Sequence, residues 1–253
     1  MTSIDTEVQV GALSPGIAVV TGAATGLGSA LAQWLLARGW TVVGTYNKSV
    51  SADPESENLT LIQVDLADST LCAGFADAVL RQFGPPTLLI NCAGINIDKP
   101  LFDINDDDWD TVFAVNVRAP FILTRELGSK MISLPAASIV NIGATTGIRP
   151  RVDGANYCAS KAALHHLTKT SALELRPTVT VNTLIPGLIR TDEAWNRLGL
   201  TESSSRDVAL AGIPAGRIAE PEEFAEALGV IVGPGGRYIN GQKIIVDGGQ
   251  FMY

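Results

Sequence analysis

Short apolar runs alternate along the chain with longer amphipathic stretches. Seven of these runs are typical of strands, at residues 17–21, 41–45, 59–64, 87–91, 138–142, 178–184 and 243–246. Val, Ile and Leu dominate them with little polar alternation, which indicates strands buried on both faces of a parallel sheet. The β-α-β-α order predicts an α/β fold with one doubly wound, parallel, seven-stranded sheet flanked by helices.

The same pattern predicts the domain organisation. No internal repeat and no long linker interrupts it, so we expect a single domain over residues 15–253. Residues 1–14 are expected to form a flexible N-terminal arm, since they lack the basic and apolar regions of a signal peptide. No apolar run approaches the roughly 20 residues that span a bilayer.

Charge and cysteine content narrow the possible partners. The 253-residue chain has 18 basic and 26 acidic residues, a net charge of −8. Such a chain repels phosphate backbones, which argues against nucleic acid and anionic membranes as partners, although a local basic pocket for a small anion remains open. The three cysteines, Cys72, Cys92 and Cys158, show no zinc or disulfide spacing and favour a reducing, cytoplasmic location.

An acidic cluster at residues 103–110, DINDDDWD, has a superficial likeness to a calcium loop. The glycine and glutamate that such a loop needs at its sixth and twelfth positions are replaced by Asp108 and Ala114. We interpret the cluster as the acidic start of a helix and expect no metal site.

A glycine-rich turn carries the first chemical signal. Residues 21–28, TGAATGLG, follow the first predicted strand and lead directly into an amphipathic helix in which Leu27, Leu31 and Leu35 share a face. Glycines let the backbone turn sharply and approach a pyrophosphate, while the helix N-terminus offers free N–H groups. The turn therefore predicts a dinucleotide site.

The TGxxxGxG spacing and several later motifs resemble the short-chain dehydrogenase/reductase family, in its branch of 3-oxoacyl-carrier-protein reductase-like ketoreductases. The further motifs are Asp65-Leu66, NCAG at 91–94, Asn116, YCASK at 157–161, PGLIRT at 186–191, NGQ at 240–242 and DGG at 247–249. The resemblance extends from about residue 17 to residue 249. It implies a Rossmann-type fold and an oxidoreductase that uses a nicotinamide cofactor.

Tyr157 and Lys161 are the candidate catalytic pair. They lie at i and i+4 on one helical face, and a nearby ammonium is expected to lower the tyrosine pKa from about 10. The tyrosine could then exchange a proton with a carbonyl or alcohol oxygen while the nicotinamide exchanges hydride. The resemblance implies that Tyr157 is the general acid/base, that Lys161 also binds the nicotinamide ribose, and that Asn116 holds a water in a proton relay.

One position departs from the family pattern. The family usually has a serine thirteen residues before the tyrosine, and Ala144 stands there. Alanine offers no donor to the substrate oxygen, and loss of one such hydrogen bond typically costs about 10²–10³ in rate. Three explanations stay open: an engineered serine-to-alanine variant, substitution by Thr145, or a natural enzyme with altered or weakened activity.

The resemblance also implies a set of cofactor contacts from the loops that follow the strands. They are Gly22, Ala24, Thr25, Gly26, Leu27, Gly28, Tyr46, Asn47, Lys48, Asp65, Leu66, Asn91, Ala93, Gly94, Pro186, Gly187, Ile189 and Thr191, together with Tyr157 and Lys161. An acid at the end of the second strand would bind the ribose of NAD and repel a 2′-phosphate, but Tyr46 stands there. Asn47 and Lys48 could receive the phosphate, so we expect NADP(H) over NAD(H).

The substrate pocket is expected to come from variable segments. Its candidate residues are Ile95, Asn96, Thr145, Thr146, Arg151, Leu188 and Trp195, with a lid around residues 190–216. A carrier-protein substrate calls for a basic docking patch, and only Lys130, Arg149 and Arg151 are candidates for one. We therefore favour a free small-molecule ketone or alcohol.

These observations support NADPH-dependent reduction of a ketone to an alcohol on a small or secondary-metabolite substrate. The alternatives are a non-catalytic dinucleotide-binding or regulatory protein, and an imine or enone reductase. The resemblance implies a homotetramer, or a dimer, formed through residues 108–131, residues 156–175 and the C-terminal strand. His165 and His166 point about 100° apart on one helix, and we expect them at the surface or an interface.

Overall fold

A computed structural model of the protein describes residues 12–48 and 56–252. Seven strands are present: β1 (Ile17–Val20), β2 (Thr41–Tyr46), β3 (Leu59–Gln63), β4 (Leu88–Asn91), β5 (Ala137–Ile142), β6 (Val179–Pro186) and β7 (Lys243–Val246). They form one parallel sheet in the order β3-β2-β1-β4-β5-β6-β7. The predicted doubly wound, Rossmann-type α/β fold is confirmed, and every predicted strand end lies within two residues of the observed one.

Helices cover both faces of the sheet. They are α1 (Gly26–Leu36), α2 (Ser69–Gln82), α3 (Asp106–Phe113), α4 (Ala119–Met131), α5 (Ala155–Glu174), α6 (Asp192–Arg197), α7 (Ser203–Ala211) and α8 (Pro221–Val232). Helices α1 and α8 pack on one face, and α2 and α4 pack on the other. A single π-helical turn, Ala114–Arg118, separates α3 from α4.

The two-sided burial explains the continuous apolar strands. Successive side chains of a strand point to opposite faces. In β1, Val19 packs into the core beside α2 and α4, while Ala18 and Val20 pack into the core beside α1 and α8. All three residues are fully buried. Central strands such as β1 and β4 therefore need apolar side chains at consecutive positions, whereas the edge strands β3 and β7 are only partly buried.

The acidic cluster begins a helix, as interpreted. Asn105 caps α3 by accepting a hydrogen bond from the Asp108 N–H at 2.8 Å, and the Asp108 carboxylate accepts one from the Asn105 N–H at 3.3 Å. This reciprocal capping box satisfies two backbone donors that a helix N-terminus otherwise leaves open. Within the described ranges, no group of acidic, His and Cys side chains is arranged to hold a metal ion.

The predicted N-terminal arm lies largely outside the described residues, which begin at Ala12. Leu13 within it is buried, and its N–H donates to the Val232 carbonyl at 2.8 Å, next to the end of α8. The predicted lid at residues 190–216 contains α6 and α7. No helix in the described part of the chain is both long and apolar enough to cross a bilayer.

Candidate active site

A cavity of about 870 Å³ opens at the carboxyl ends of the strands. It lies where the sheet order reverses, between the loops that follow β1 and β4, which is where ligands of doubly wound sheets bind. Every residue of the predicted cofactor set except Asn91 lines it. The fold therefore brings the predicted cofactor residues together on one surface, although they lie up to 169 positions apart in sequence, from Gly22 to Thr191.

Asn91 is placed differently. Its side chain is buried within the sheet, and its amide nitrogen donates to the Asn141 Oδ1 at 2.8 Å. Asn141 in turn donates to the Thr168 Oγ1 at 2.8 Å. These bonds join β4, β5 and α5 beneath the cavity, so Asn91 supports the site from below.

The glycine-rich turn presents helix α1 to the cavity with its N-terminus open. Thr25 is at the capping position but makes no side-chain cap bond, and the first turn carries no acid. Helix α2, by contrast, is capped by the Asp68 carboxylate. An open helix N-terminus offers unpaired N–H groups and a positive dipole end, which suits a pyrophosphate.

Close backbone packing makes this geometry possible. A Cβ atom on Gly28 would lie 2.1 Å from the Gly22 carbonyl oxygen, so only glycine lets α1 approach the turn. Gly22 itself has a φ of 70°, in the left-handed region. The neighbouring loop is held by Thr21, whose Oγ1 accepts hydrogen bonds from the N–H groups of Cys92 and Ala93 at 2.9 and 3.0 Å. Thr21 is the first residue of the TGxxxGxG motif, and the motif alone did not predict this supporting role.

Tyr157 and Lys161 both line the cavity from α5. The Lys161 Nζ lies 5.7 Å from the centroid of the Tyr157 ring and donates to the Ile142 carbonyl at 2.9 Å. A Cβ on Gly94 would lie 3.3 Å from the same Nζ, so a glycine leaves the ammonium room at the cavity wall. The predicted pair therefore shares one face and one cavity.

Burial governs the protonation of both groups. Removal from water raises the pKa of Tyr157 to about 12, and the nearby charges of Arg197 and Arg151 oppose that rise. Burial also lowers the pKa of Lys161 to about 8. The expectation that the ammonium brings the tyrosine pKa below 10 is thus wrong for this structure, because desolvation outweighs the charges around the phenol. At neutral pH the phenol is therefore protonated.

Asn116 occupies the π-helical turn and connects two parts of the site. Its Oδ1 accepts from the Ile95 N–H at 2.9 Å, and its amide nitrogen donates to the Ile95 carbonyl at 2.9 Å and to the Ser160 Oγ at 3.0 Å. The Ser160 hydroxyl donates to the Tyr157 carbonyl at 2.8 Å. Asn116 thereby fixes the loop after β4 against the helix that carries Tyr157. Its expected water relay stays a prediction.

Ala144 ends the segment that follows β5. It is buried, and Thr145–Gly147 form a short 3₁₀ turn directly after it. Thr145 and Thr146 do not line the 870 Å³ cavity. Thr146 lines a second, more apolar cavity of about 800 Å³ together with Arg151 and Cys158. The Thr146 hydroxyl is buried without a hydrogen-bond partner among the described residues.

The remaining substrate candidates separate into two groups. Ile95, Asn96 and Leu188 line the large cavity. Trp195 does not line it; the Arg190 guanidinium lies 5.2 Å from its ring centroid. Instead, α6 contributes Glu193 and Arg197 to the cavity wall, two residues that sequence reasoning missed.

His165 corrects the expectation of a surface histidine pair. His166 is exposed, but His165 is buried beneath the turn after β5, and a Cβ on Gly143 would lie 2.5 Å from its Nε2. That nitrogen has no hydrogen-bond partner in the described part of the chain. Burial, with nearby lysines, lowers the His165 pKa to about 4, so the ring is neutral. His165 follows Lys161 by four residues, and this spacing is the signal that could have placed it on the buried face.

Comparison with known proteins agrees with the site. The family model described as short chain dehydrogenase matches residues 16–198, well over half of the chain. The chain belongs to the short-chain dehydrogenase/reductase family. This oxidoreductase is 33% identical over 243 residues to a 3-oxoacyl-(acyl-carrier-protein) reductase of Vibrio cholerae, covering 93% of the chain and 97% of the relative. It is 32% identical over 250 residues to an acetoacetyl-CoA reductase of Allochromatium vinosum, covering 94% and 99%.

Two solved structures are similar to this protein over nearly the whole chain. A blue fluorescent protein from a metagenomic library, in complex with NADPH, has a TM-score of 0.84 and 29% identity, covering 94% of this chain and 98% of its own. A 4-hydroxyisoleucine dehydrogenase complexed with NADH has a TM-score of 0.87 and 28% identity, covering 93% and 98%. This short-chain dehydrogenase/reductase is thus an NAD(P)-dependent oxidoreductase.

Proposed function

We propose that the protein reduces a ketone to an alcohol with NADPH, on a free small molecule, with Tyr157 as the proton donor. The observation that carries this proposal is the placement of Tyr157 and Lys161 on one wall of the cavity that the open N-terminus of α1 also enters. A dinucleotide whose pyrophosphate lies at α1 would extend toward the tyrosine.

Each residue then has a defined task. When bound, the reduced nicotinamide supplies hydride to the carbonyl carbon. Tyr157 is protonated at neutral pH because burial raises its pKa, so its hydroxyl can donate a proton to the carbonyl oxygen. Lys161 would hold the ribose with the N–H groups that it does not give to the Ile142 carbonyl. Asn116 would bind the relay water.

The preference for NADPH rests on the end of β2. Tyr46, Asn47 and Lys48 line the cavity there, and none is an acid that would repel a 2′-phosphate. Lys48 is exposed and positively charged, which suits a phosphate. One similar structure holds NADPH, which agrees with this preference, although another holds NADH.

The proposed setting follows the family. We infer one domain over residues 15–253 with a lid around 190–216, in a reducing cytoplasm that suits three free cysteines. We also infer a homotetramer, because apolar side chains such as Phe121 on α4 and Leu173 on α5 are exposed. A native mass of about four times the 26.6 kDa chain in sedimentation equilibrium supports the tetramer, and a monomer rules it out.

The decisive experiment compares this chain with its Ala144→Ser variant on a panel of ketones, measuring NADPH oxidation. We expect serine to raise kcat by about 10²–10³, since it supplies the missing donor to the carbonyl oxygen. Tyr157→Phe in the serine variant should abolish that gain. Equal rates for both chains would show that Thr145 or another group already donates.

Ala144 is the one feature that favours a non-catalytic dinucleotide-binding protein. That function gains support if both chains bind NADPH, by quenching or calorimetry, yet neither oxidises it with any ketone, imine or enone of the panel. Turnover of imines or enones alone, identified by product analysis, would instead support the reductase of those groups.

A further inference from the structure

Four charged residues meet beside the 870 Å³ cavity, and two of them, Glu193 and Arg197, line it. We call Asp98, Arg151, Glu193 and Arg197 the charged cluster. Arg197 on α6 lies 3.5 Å from the Asp98 carboxylate and donates from Nε to Glu193 at 2.7 Å. Arg151 pairs with the other Asp98 oxygen at 2.5 Å. The cluster joins the lid, the loop after β4 and the loop before α5.

Within the charged cluster, the acceptors of Asp98 are more fully paired than the donors of Arg197. Both Asp98 oxygens are engaged, one by Arg151 and the other by Asn96 at 3.4 Å and by the Arg197 ion pair. The Arg197 guanidinium donates its Nε–H to Glu193 and pairs through Nη1 with Asp98 at 3.5 Å, while its Nη2 has no hydrogen bond or ion pair within the described ranges. The four charges balance, but the Arg197 Nη2 keeps N–H groups free to donate, and a guanidinium donor suits an anion.

The position of these donors relates them to the reaction. Arg197 and Tyr157 line the same cavity. The Arg151 Cζ lies 6.0 Å from the centroid of the Tyr157 ring. All four charges of the cluster reach the phenol: Arg197 and Arg151 lower the Tyr157 pKa, while Glu193 and Asp98 raise it. An anionic group bound at Arg197 would thus share one cavity with a carbonyl at Tyr157.

The chemistry favours a carboxylate as that anion. The planar guanidinium fork matches a carboxylate with two parallel N–H···O bonds. A phosphate would bring a second negative charge beside Asp98 and the exposed Glu193, which repel it. A monoanion that shares Arg197 with these two acids fits the local charge better.

We infer that Arg197, backed by Arg151, selects substrates that carry a carboxylate near the carbonyl: oxo acids and the corresponding hydroxy acids. This inference rests on the proposed function, because it assigns the substrate class of the same site. Arg197 is a specificity-determining residue in it, and Arg151 is a positioning residue that acts through Asp98.

The test measures binding to the NADPH complex by calorimetry, with 3-, 4- and 5-oxohexanoate and their methyl esters. We expect the original chain to bind the best acid about tenfold or more tightly than its ester, as one charged hydrogen-bond pair warrants. Arg197→Gln should lose that preference and bind the esters unchanged. Arg190→Gln is the matched control: it lies in the same segment, pairs with Glu220 at 3.3 Å and does not line the cavity.

Three results would overturn the inference: equal binding of acids and esters by the original chain, an acid preference that survives Arg197→Gln, or an equal loss in Arg190→Gln. Turnover of the same compounds by the Ala144→Ser variant separates this inference from the proposed function. Acid-selective binding without turnover of any carbonyl would contradict the proposed reductase and leave the carboxylate site standing. Turnover of ketones without a preference for acids would support the proposed reductase and contradict the carboxylate site.

Discussion

Single residues in this site differ most from what their type alone suggests. The four-residue spacing predicted that Tyr157 and Lys161 lie next to each other. It did not predict the directions in which their pKa values shift. A sequence shows that a lysine is near a tyrosine; it does not show how completely both are removed from water. Burial decides here, raising the pKa of Tyr157 and lowering that of Lys161.

His165 offers a test of this burial through acid stability. Its pKa is about 4 when folded and 6.5 in the unfolded chain, so the unfolded state binds more protons between these values. Stability is complete above pH 6.5 and falls as the pH drops from 6.5 to 4. We expect His165→Leu to remove up to about 3 kcal/mol of that fall, as a shift of about 2.5 units implies.

Urea unfolding at pH 7, 5.5 and 4.5 measures this effect. His166→Leu is the control, because His166 is exposed on the next position of the same helix. It should leave the pH dependence unchanged. If the original chain and His165→Leu lose stability in parallel between pH 6.5 and 4.5, the ring is not held neutral by the fold.

Tyr46 allows a residue-scale test of the cofactor preference. Tyr46→Asp places a carboxylate at the end of β2, where it would accept hydrogen bonds from the ribose hydroxyls of NADH and repel a 2′-phosphate. We expect the ratio of NADPH to NADH affinity to fall at least about tenfold, the effect of one charged contact. Tyr46→Asn is the control, because asparagine has the size of aspartate without its charge. Fluorescence titration with both dinucleotides decides, and a ratio unchanged by the aspartate would place the phosphate elsewhere.

At the scale of elements, the strands were predictable and their junctions were less so. Continuous apolar runs located all seven strands, because a sheet covered on both faces leaves no other pattern. The charged cluster left no trace in the sequence, since Asp98, Arg151 and Arg197 are about 50 and 100 positions apart and only the fold joins them. Trp195 and Arg197 show the same difficulty within one short helix: its phase decides which of them enters the cavity.

The junction of the glycine-rich turn with α1 gives a prediction of its own. Gly28→Ala would place a Cβ 2.1 Å from the Gly22 carbonyl oxygen, so α1 must shift away from the turn. We expect NADPH binding to weaken at least about a hundredfold, because the pyrophosphate depends on the position of that helix end. Gly74→Ala in α2 is the control, since its Cβ would meet nothing within 4 Å. There the substitution should leave binding intact and stabilise the helix by about 0.5–1 kcal/mol.

Calorimetric titration with NADPH distinguishes the two glycine variants. Circular dichroism of each variant shows whether the fold is kept. A folded Gly28→Ala variant that still binds NADPH with the original affinity would contradict the placement of the pyrophosphate at α1.

At the scale of the whole molecule, the core and the cofactor site make separable contributions to stability. Phe224 of α8 is fully buried in the core beside α1. It does not line the cavity. Its loss therefore removes core packing without removing a cofactor contact.

We expect NADPH to stabilise a core variant and a cofactor-site variant to different extents. Phe224→Ala should lower the free energy of unfolding by about 3–5 kcal/mol, the usual cost of such a cavity. NADPH at a hundred times its Kd should still restore about 2.7 kcal/mol, because a ligand that binds only the folded state stabilises it by mass action. Gly28→Ala should show the opposite behaviour: at the same NADPH concentration, its hundredfold weaker binding leaves a stabilisation of only about 0.4 kcal/mol. Scanning calorimetry of both variants with and without NADPH measures this. If Phe224→Ala also loses its response, the core beside α1 and the dinucleotide site form one cooperative unit, and α1 transmits packing defects directly to the cofactor.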